Sequence, residues 1–139
     1  MPQRVEVIKG ACLLLRQAAL QQVGLLDDSF FMYTEEVDLC FRLALAGWQL
    51  WWVPAATVVH YGEASSSQMP QAMYVQLYRS KVHFYRKYGG TPRAECFKLL
   101  LRLAYWPRLA IAAVGALFSK QLAVKATTYR RLLSELAAM

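Results

Sequence analysis

Apolar and polar residues along the chain fall into short segments of changing period. Gly10 to Leu15 is an almost unbroken apolar run, which reads as a buried strand, and Arg16 to Val23 follow with helix-forming composition until Gly24 stops them. Leu25-Leu26-Asp27-Asp28-Ser29 reads as a turn, and the aromatic stretch Phe30-Phe31-Met32-Tyr33 leads to Thr34. A threonine hydroxyl can accept a backbone N–H left unpaired at a helix start, so Thr34 is the expected N-cap. Glu35 and Glu36 then occupy the first turn, at the positive end of the helix dipole. Leu39, Leu43 and Ala46 recur at i, i+4 and i+7, and Gly47 suits the position just past the C-cap, so Thr34 to Gly47 is predicted as one capped helix.

Trp48 to Val53 is β-prone until Pro54 breaks it, and Thr57-Val58-Val59-His60 predicts a second short strand ending in histidine. Tyr61 to Met69, with Gly62 and three consecutive serines, predicts a loop. Pro70 suits the first turn of a helix that Met73, Leu77, Lys81 and Phe84 carry to about Tyr88, and Gly89-Gly90-Thr91-Pro92 ends it. Arg93 to Met139 is nearly continuous helix-forming sequence, with an interruption expected at Pro107.

With 57% hydrophobic and 18% charged residues in 139, the chain can bury a core and is no disordered tail. The net charge of +7 is unevenly spread. Up to Ser67 there are four basic and seven acidic residues, a balance of −3, and beyond it twelve basic and two acidic, a balance of +10. A uniformly basic chain would suggest nucleic-acid binding. Here an acidic segment is joined to a basic, apolar one with no nucleic-acid motif, so nucleic acid is not the expected partner. Cys12, Cys40 and Cys96 are odd in number and form no CxxC pair, which points to a reducing compartment rather than a disulfide framework or thiolate zinc site. Met1 to Glu6 shows no apolar run of the signal-peptide kind.

Three groups of residues could carry chemistry. Glu35, Glu36 and Asp38 place three carboxylates within four residues. Such crowding favours a proton on one of them and suits a general base, whereas the helix dipole favours the ionised forms. The plainer reading is that the glutamates are ordinary first-turn acids and Asp38 pairs with Arg42 at i, i+4. His60 ends an apolar strand at a loop, where binding groups are displayed, but one imidazole makes no metal site, and Mg2+ or Mn2+ would need carboxylates as well. Tyr74, Tyr78, Arg79, Lys81, His83, Tyr85, Arg86, Lys87 and Tyr88 interleave basic and aromatic side chains, which either bind phosphates and rings or form a solvated face.

The tail from Phe97 to Phe118 is mostly apolar, but its longest charge-free run, Leu109 to Ser119, falls short of the roughly 20 residues of a membrane span. Flanking basic residues fit a helix lying in the headgroup layer of an anionic membrane, the other reading being a helical hairpin packed on the domain.

In order and spacing, several segments resemble the C-terminal half of family 2 glycosyltransferases of the GT-A fold, particularly the bacterial rhamnosyltransferase-like group. They are Gly10-Ala11-Cys12-Leu13-Leu14-Leu15-Arg16, Val23 to Tyr33, Glu35 to Arg42, Ala46-Gly47-Trp48, Val53-Pro54, His60, Gly62 with Ser65 to Ser67, and Arg79-Ser80-Lys81. The resemblance covers roughly residues 9 to 90. It implies an α/β fold, the C-terminal part of a GT-A domain with short strands and a helical C-terminal extension. It also implies inverting transfer of a sugar from a nucleotide-sugar to a lipid-linked or glycan acceptor in surface polysaccharide synthesis, with a divalent cation, Mg2+ or Mn2+, steadying the leaving diphosphate. The family's acidic pair is usually Glu-Asp with its second member as base. Glu36 takes that place here with one extra methylene, and Glu35 is the fallback base. The resemblance offers Tyr33, Asp38 and Arg79 for substrate binding, Asp38 with Arg42 also holding the helix, and His60 as a metal ligand.

Family members also begin with a nucleotide-binding half containing an Asp-x-Asp motif, and no Asp-x-Asp occurs in this sequence. The expected division is therefore 1–92 as the acceptor-side half of a catalytic domain and 93–139 as a basic, apolar tail at the membrane surface. The expected location is cytoplasmic, on the inner face of the cytoplasmic membrane. The competing reading is a non-enzymatic membrane-surface binding module left by truncation.

Overall fold

The computed structural model describes residues 1–61 and 69–139, and the chain divides into two compact units, residues 1–64 and 65–139. The expected loop from Tyr61 to Met69, including Gly62 and Ser65 to Ser67 of the resemblance, thus lies largely outside the described residues. The segment after Pro70 shares a core with the tail helices and so belongs to the second compact unit.

The first unit holds β1 (Gln3–Val5), α1 (Gln17–Val23), α2 (Glu35–Leu45) and β2 (Leu50–Trp52). Its two strands pair antiparallel, Gln3 opposite Trp52, Arg4 opposite Trp51 and Val5 opposite Leu50. α1 ends where Gly24 takes φ +82°, a conformation costly for any residue with a Cβ. α2 turns Leu39, Cys40 and Leu43 inward onto Ala19 and Leu50, with Val5, Ile8, Leu20, Val23 and Trp48 around them. Burying a leucine as fully as Leu39 contributes about 1.5–3 kcal/mol. α2 ends in a Schellman motif, the Trp48 N–H donating to Leu43 O at 3.0 Å and the Gly47 N–H to Ala44 O at 3.1 Å.

Three local expectations change here. Gly10 to Leu15 and Thr57 to His60 form no strand, since an apolar run becomes one only when a ladder partner lies alongside, and β1 and β2 pair with each other. Leu14 is fully solvated, at 101% exposure. Gln3 to Val5, which carries no strand signal of its own, is extended because β2 supplies its partners.

The second unit is helical: α3 (Pro70–Gly115) and α4 (Lys120–Glu135). Gly90, at φ +71° and ψ −179°, breaks α3 into two arms, 70–89 and 91–115. The arms fold back on each other. The Tyr74 and Tyr105 ring centroids stand 6.3 Å apart, where 31 residues of straight helix would separate them by about 46 Å. Val75 and Val82 of the first arm, Ala94 and Leu101 of the second, and Leu132 and Leu136 at α4 and just beyond it share one core. Beside it the Tyr78 hydroxyl lies 2.5 Å from that of Tyr105, which also contacts the Tyr74 hydroxyl, with the Tyr129 ring 5.2 Å from that of Tyr105. Pro107 interrupts nothing. It lies on the exposed side of the second arm, where water can satisfy the Leu103 carbonyl that loses its donor, and the helix gives way only after Gly115. Among the described residues, no helix is long and apolar enough to cross a membrane.

The whole is mixed α/β, mostly helical with a two-stranded sheet.

Candidate active site

The corner that leads into α2 combines strain with unpaired charge. Phe30 is buried, Phe31 is exposed, and the next turn of chain reverses through two consecutive left-handed residues, Tyr33 at φ +67° and Thr34 at φ +75°. This conformation is rare for any side-chain-bearing residue and an outlier for a β-branched one, and such strain concentrates at functional sites. It also alters the expected cap. The Thr34 carbonyl starts the helix by accepting the Asp38 N–H at 2.8 Å, but its hydroxyl makes no capping bond.

Glu35 and Glu36 open the helix. Each has one carboxylate oxygen, Oε2, shut off from solvent without a hydrogen-bond partner. A buried polar atom left unsatisfied typically costs about 1–3 kcal/mol, so two such oxygens on adjacent residues need an explanation beyond packing. The chain at Gly10 runs alongside: a Cβ there would sit 3.6 Å from the Glu36 Cβ and 3.9 Å from its Cγ. Alanine would be accommodated in ordinary contact, whereas a longer side chain would press on the Glu36 stem.

Asp38, one turn on, has a different role. It is wholly buried (0% exposed), and its Oδ2 accepts the Arg42 Nε–H at 2.7 Å. The same guanidinium donates to Val23 O and, at 2.6 Å, to Leu25 O, so it takes up carbonyls at the end of α1, which carries no basic residue in its last turn. Asp38 thus fixes Arg42, and Arg42 fixes the end of α1 to α2. The i, i+4 pair is the one the spacing predicts. Its extension to Val23 and Leu25 is not visible in the sequence, and the one signal for it was a helix C-terminus with no cation of its own.

Tyr33, Glu35, Glu36 and Asp38 therefore share this corner, with Tyr33 half-buried. His60 lies exposed in the coil beyond β2, and among the described residues no group of three or more His, Cys, Asp or Glu side chains stands close enough to hold a metal ion. The residues described thus do not fit a divalent cation by themselves. Arg79 belongs to the second unit, where it pairs with Glu135 at 2.7 Å. A cleft of about 680 Å³ between the sheet and α2 is lined by Val5, Val37, Phe41, Trp48 and Leu50 among others, and includes neither glutamate. Cys12 and Cys96 are exposed free thiols, and Cys40 is a buried one.

A family model described as Glycosyl transferase family group 2 matches residues 1–138. The N-acetylglucosaminyl-diphospho-decaprenol L-rhamnosyltransferase of Mycobacterium tuberculosis is 46% identical over 63 residues, 45% of this chain and 20% of that protein. Rhamnosyltransferase WbbL of Escherichia coli is 42% identical over 57 residues, 41% of this chain and 22% of that protein. The low-salt glycan biosynthesis hexosyltransferase Agl10 of Haloferax volcanii is 40% identical over 38 residues, 27% of this chain and 12% of that protein. The chain spans about a fifth or less of the curated relatives it matches. No solved structure matches.

Proposed function

Because the chain belongs to glycosyl transferase family group 2, we propose that it carries the acceptor-side, base-bearing part of an inverting glycosyltransferase of the GT-A fold. The observation that supports this most directly is the pair of unpartnered, solvent-shielded oxygens on Glu35 and Glu36 at a strained corner. An incoming acceptor hydroxyl supplies the donor that such a carboxylate oxygen lacks. As the hydroxyl oxygen bonds to the anomeric carbon of the donor sugar, its proton passes to Glu36, and the bond from that carbon to the nucleoside diphosphate breaks on the opposite face. Glu35, adjacent and equally shielded, is the second carboxylate able to take the proton. Asp38 acts by positioning, through Arg42 and α1, and Tyr33 flanks the acceptor.

The relatives' names support a substrate class: a nucleotide-activated rhamnose or other hexose as donor, and as acceptor a sugar linked through diphosphate to a polyprenol. This reading assigns the divalent cation to donor-binding residues beyond those in this chain, with His60 at most an accessory ligand. No step here depends on it.

The test joins this chain to a donor-binding half and measures sugar transfer to a polyprenyl-diphosphate sugar. Glu36→Gln should lower kcat at least about 100-fold, the usual contribution of a general base, while donor affinity stays nearly intact. Glu36→Asp, which restores the family's usual pair, should keep turnover. Undiminished kcat in the Gln variant would remove Glu36 as base.

A further inference from the structure

The second arm of α3 shows one side to its own bundle and a different one to its surroundings. Leu101, Tyr105 and Ala112 are buried against the neighbouring helices. The opposite side presents Leu99, Leu103, Trp106 and Val114, with Leu117 and Phe118 just past the helix end, all more than half exposed among the described residues. The spacing of four, three and eight residues keeps the four helical positions in one stripe, about 22 Å long at 1.5 Å per residue. Isolated exposed leucines need no explanation, but a continuous stripe of this length does.

The charges around it identify the occupant. At 100° per residue the exposed Leu100 and Ile111 widen the stripe on one side. Arg102 and Arg108 flank the widened band on either side, and Arg93 and Lys120 stand beyond its two ends. Between Arg93 and Ser134 the sole acid is Glu95, which Lys98 holds at 2.9 Å and Arg86 approaches at 3.9 Å. The other acid of this unit, Glu135, lies between Arg79 and Arg131 at 2.7 and 2.8 Å. The free charge around the stripe is therefore positive. A second copy would set one +10 segment against another, which disfavours self-association through this side.

We infer that this side of α3 lies on the surface of an anionic lipid bilayer, the stripe dipping into the headgroup boundary and the marginal arginines meeting lipid phosphates. The helix lies on the bilayer and does not cross it, because its other side is committed to the bundle core. Trp106 stands where an aromatic ring with a polar N–H is favoured, at the boundary of apolar and wet. The inference stands whether or not the chain transfers a sugar.

Co-sedimentation of the full chain with vesicles tests it. Phosphatidylcholine vesicles with about one third phosphatidylglycerol should bind at least about tenfold more tightly than pure phosphatidylcholine, and added salt should weaken the binding. Leu103→Gln combined with Val114→Gln leaves the charge unchanged and should reduce binding at least about tenfold with the helical circular dichroism intact. In a second readout on the unaltered protein, lipids brominated near the headgroup should quench a share of tryptophan fluorescence that Trp106→Phe abolishes. Equal binding to both vesicle types, undiminished binding by the double variant, or quenching indifferent to Trp106→Phe would each overturn the inference. So would a dimer that the double variant dissolves while vesicles bind neither form.

Discussion

Removing the Asp38 carboxylate should destabilise the first unit out of proportion to a single ion pair with Arg42. In the native fold that carboxylate is fully desolvated, and it orients a guanidinium whose other nitrogens are spent on Val23 O and Leu25 O. Deleting one partner of a buried pair costs about 3–5 kcal/mol, because the other charge stays desolvated and uncompensated. Arg42 keeps 19% of its side-chain exposure and both carbonyl acceptors, which sets Asp38→Ala near the lower end, about 3 kcal/mol. Arg42→Met removes all these contacts and takes the cation from a carboxylate with no exposure, so it belongs near the upper end, about 5 kcal/mol. The double variant should be less destabilised than the sum of the singles by at least about 2 kcal/mol, since the second change removes the charge stranded by the first. Trp48, Trp51 and Trp52 lie in this unit and Trp106 in the other, so urea unfolding followed by fluorescence in a Trp106→Phe background reads the right element. An Asp38→Ala midpoint within about 0.5 kcal/mol of the parent, or simple additivity in the double variant, would show that Arg42 holds α1 without help from Asp38.

Gly90→Ala should destabilise the helical bundle by about 1–3 kcal/mol, because φ +71° with ψ −179° is essentially glycine's own region; an unchanged melting temperature would mean the reversal tolerates another geometry. Burial and neighbouring phenols push Tyr74 from 10.0 up to about 12 and raise Tyr105 further. The folded state thus favours the neutral phenols, and their contribution to stability is complete below pH 10 and is lost as pH rises through about 12. Absorbance of phenolate at 295 nm should then show a late-titrating set among the eight tyrosines, released with loss of helical signal, whereas a single transition near pH 10 would contradict the shared-hydroxyl arrangement.

Features written in a few adjacent residues were legible in the sequence. Gly24 and Gly47 end α1 and α2 as expected, Pro70 begins α3, and Asp38 pairs with Arg42. What depends on distant partners was not. The runs Gly10 to Leu15 and Thr57 to His60 have strand composition but no ladder partner, while the polar Gln3 to Val5 has one. Thr34 has the composition of a cap, yet the chain reaches the helix through two left-handed residues, so its hydroxyl makes no capping bond. Gly89 to Pro92 reads as a helix end and forms a hairpin tip, a reversal fixed by the core that Val82, Leu101 and Leu132 share. Glu35 and Glu36 were identifiable as candidates. Their shielded, partnerless oxygens become visible only once the chain is folded.

The three-residue ribbon of β1 and β2 has a consequence for how the protein behaves in concentrated solution. Each strand spends its ladder groups on the other along one side only, and the described residues add no third strand. Among the described residues no other backbone pairs with the outer edges, which lie beside Trp51 and Trp52, both about half exposed. Edges of that kind accept any extended chain that comes alongside, with the flanking rings adding apolar adhesion. The ribbon is thus where two molecules would first stick together, and the same backbone groups suit it to continuing a wider sheet.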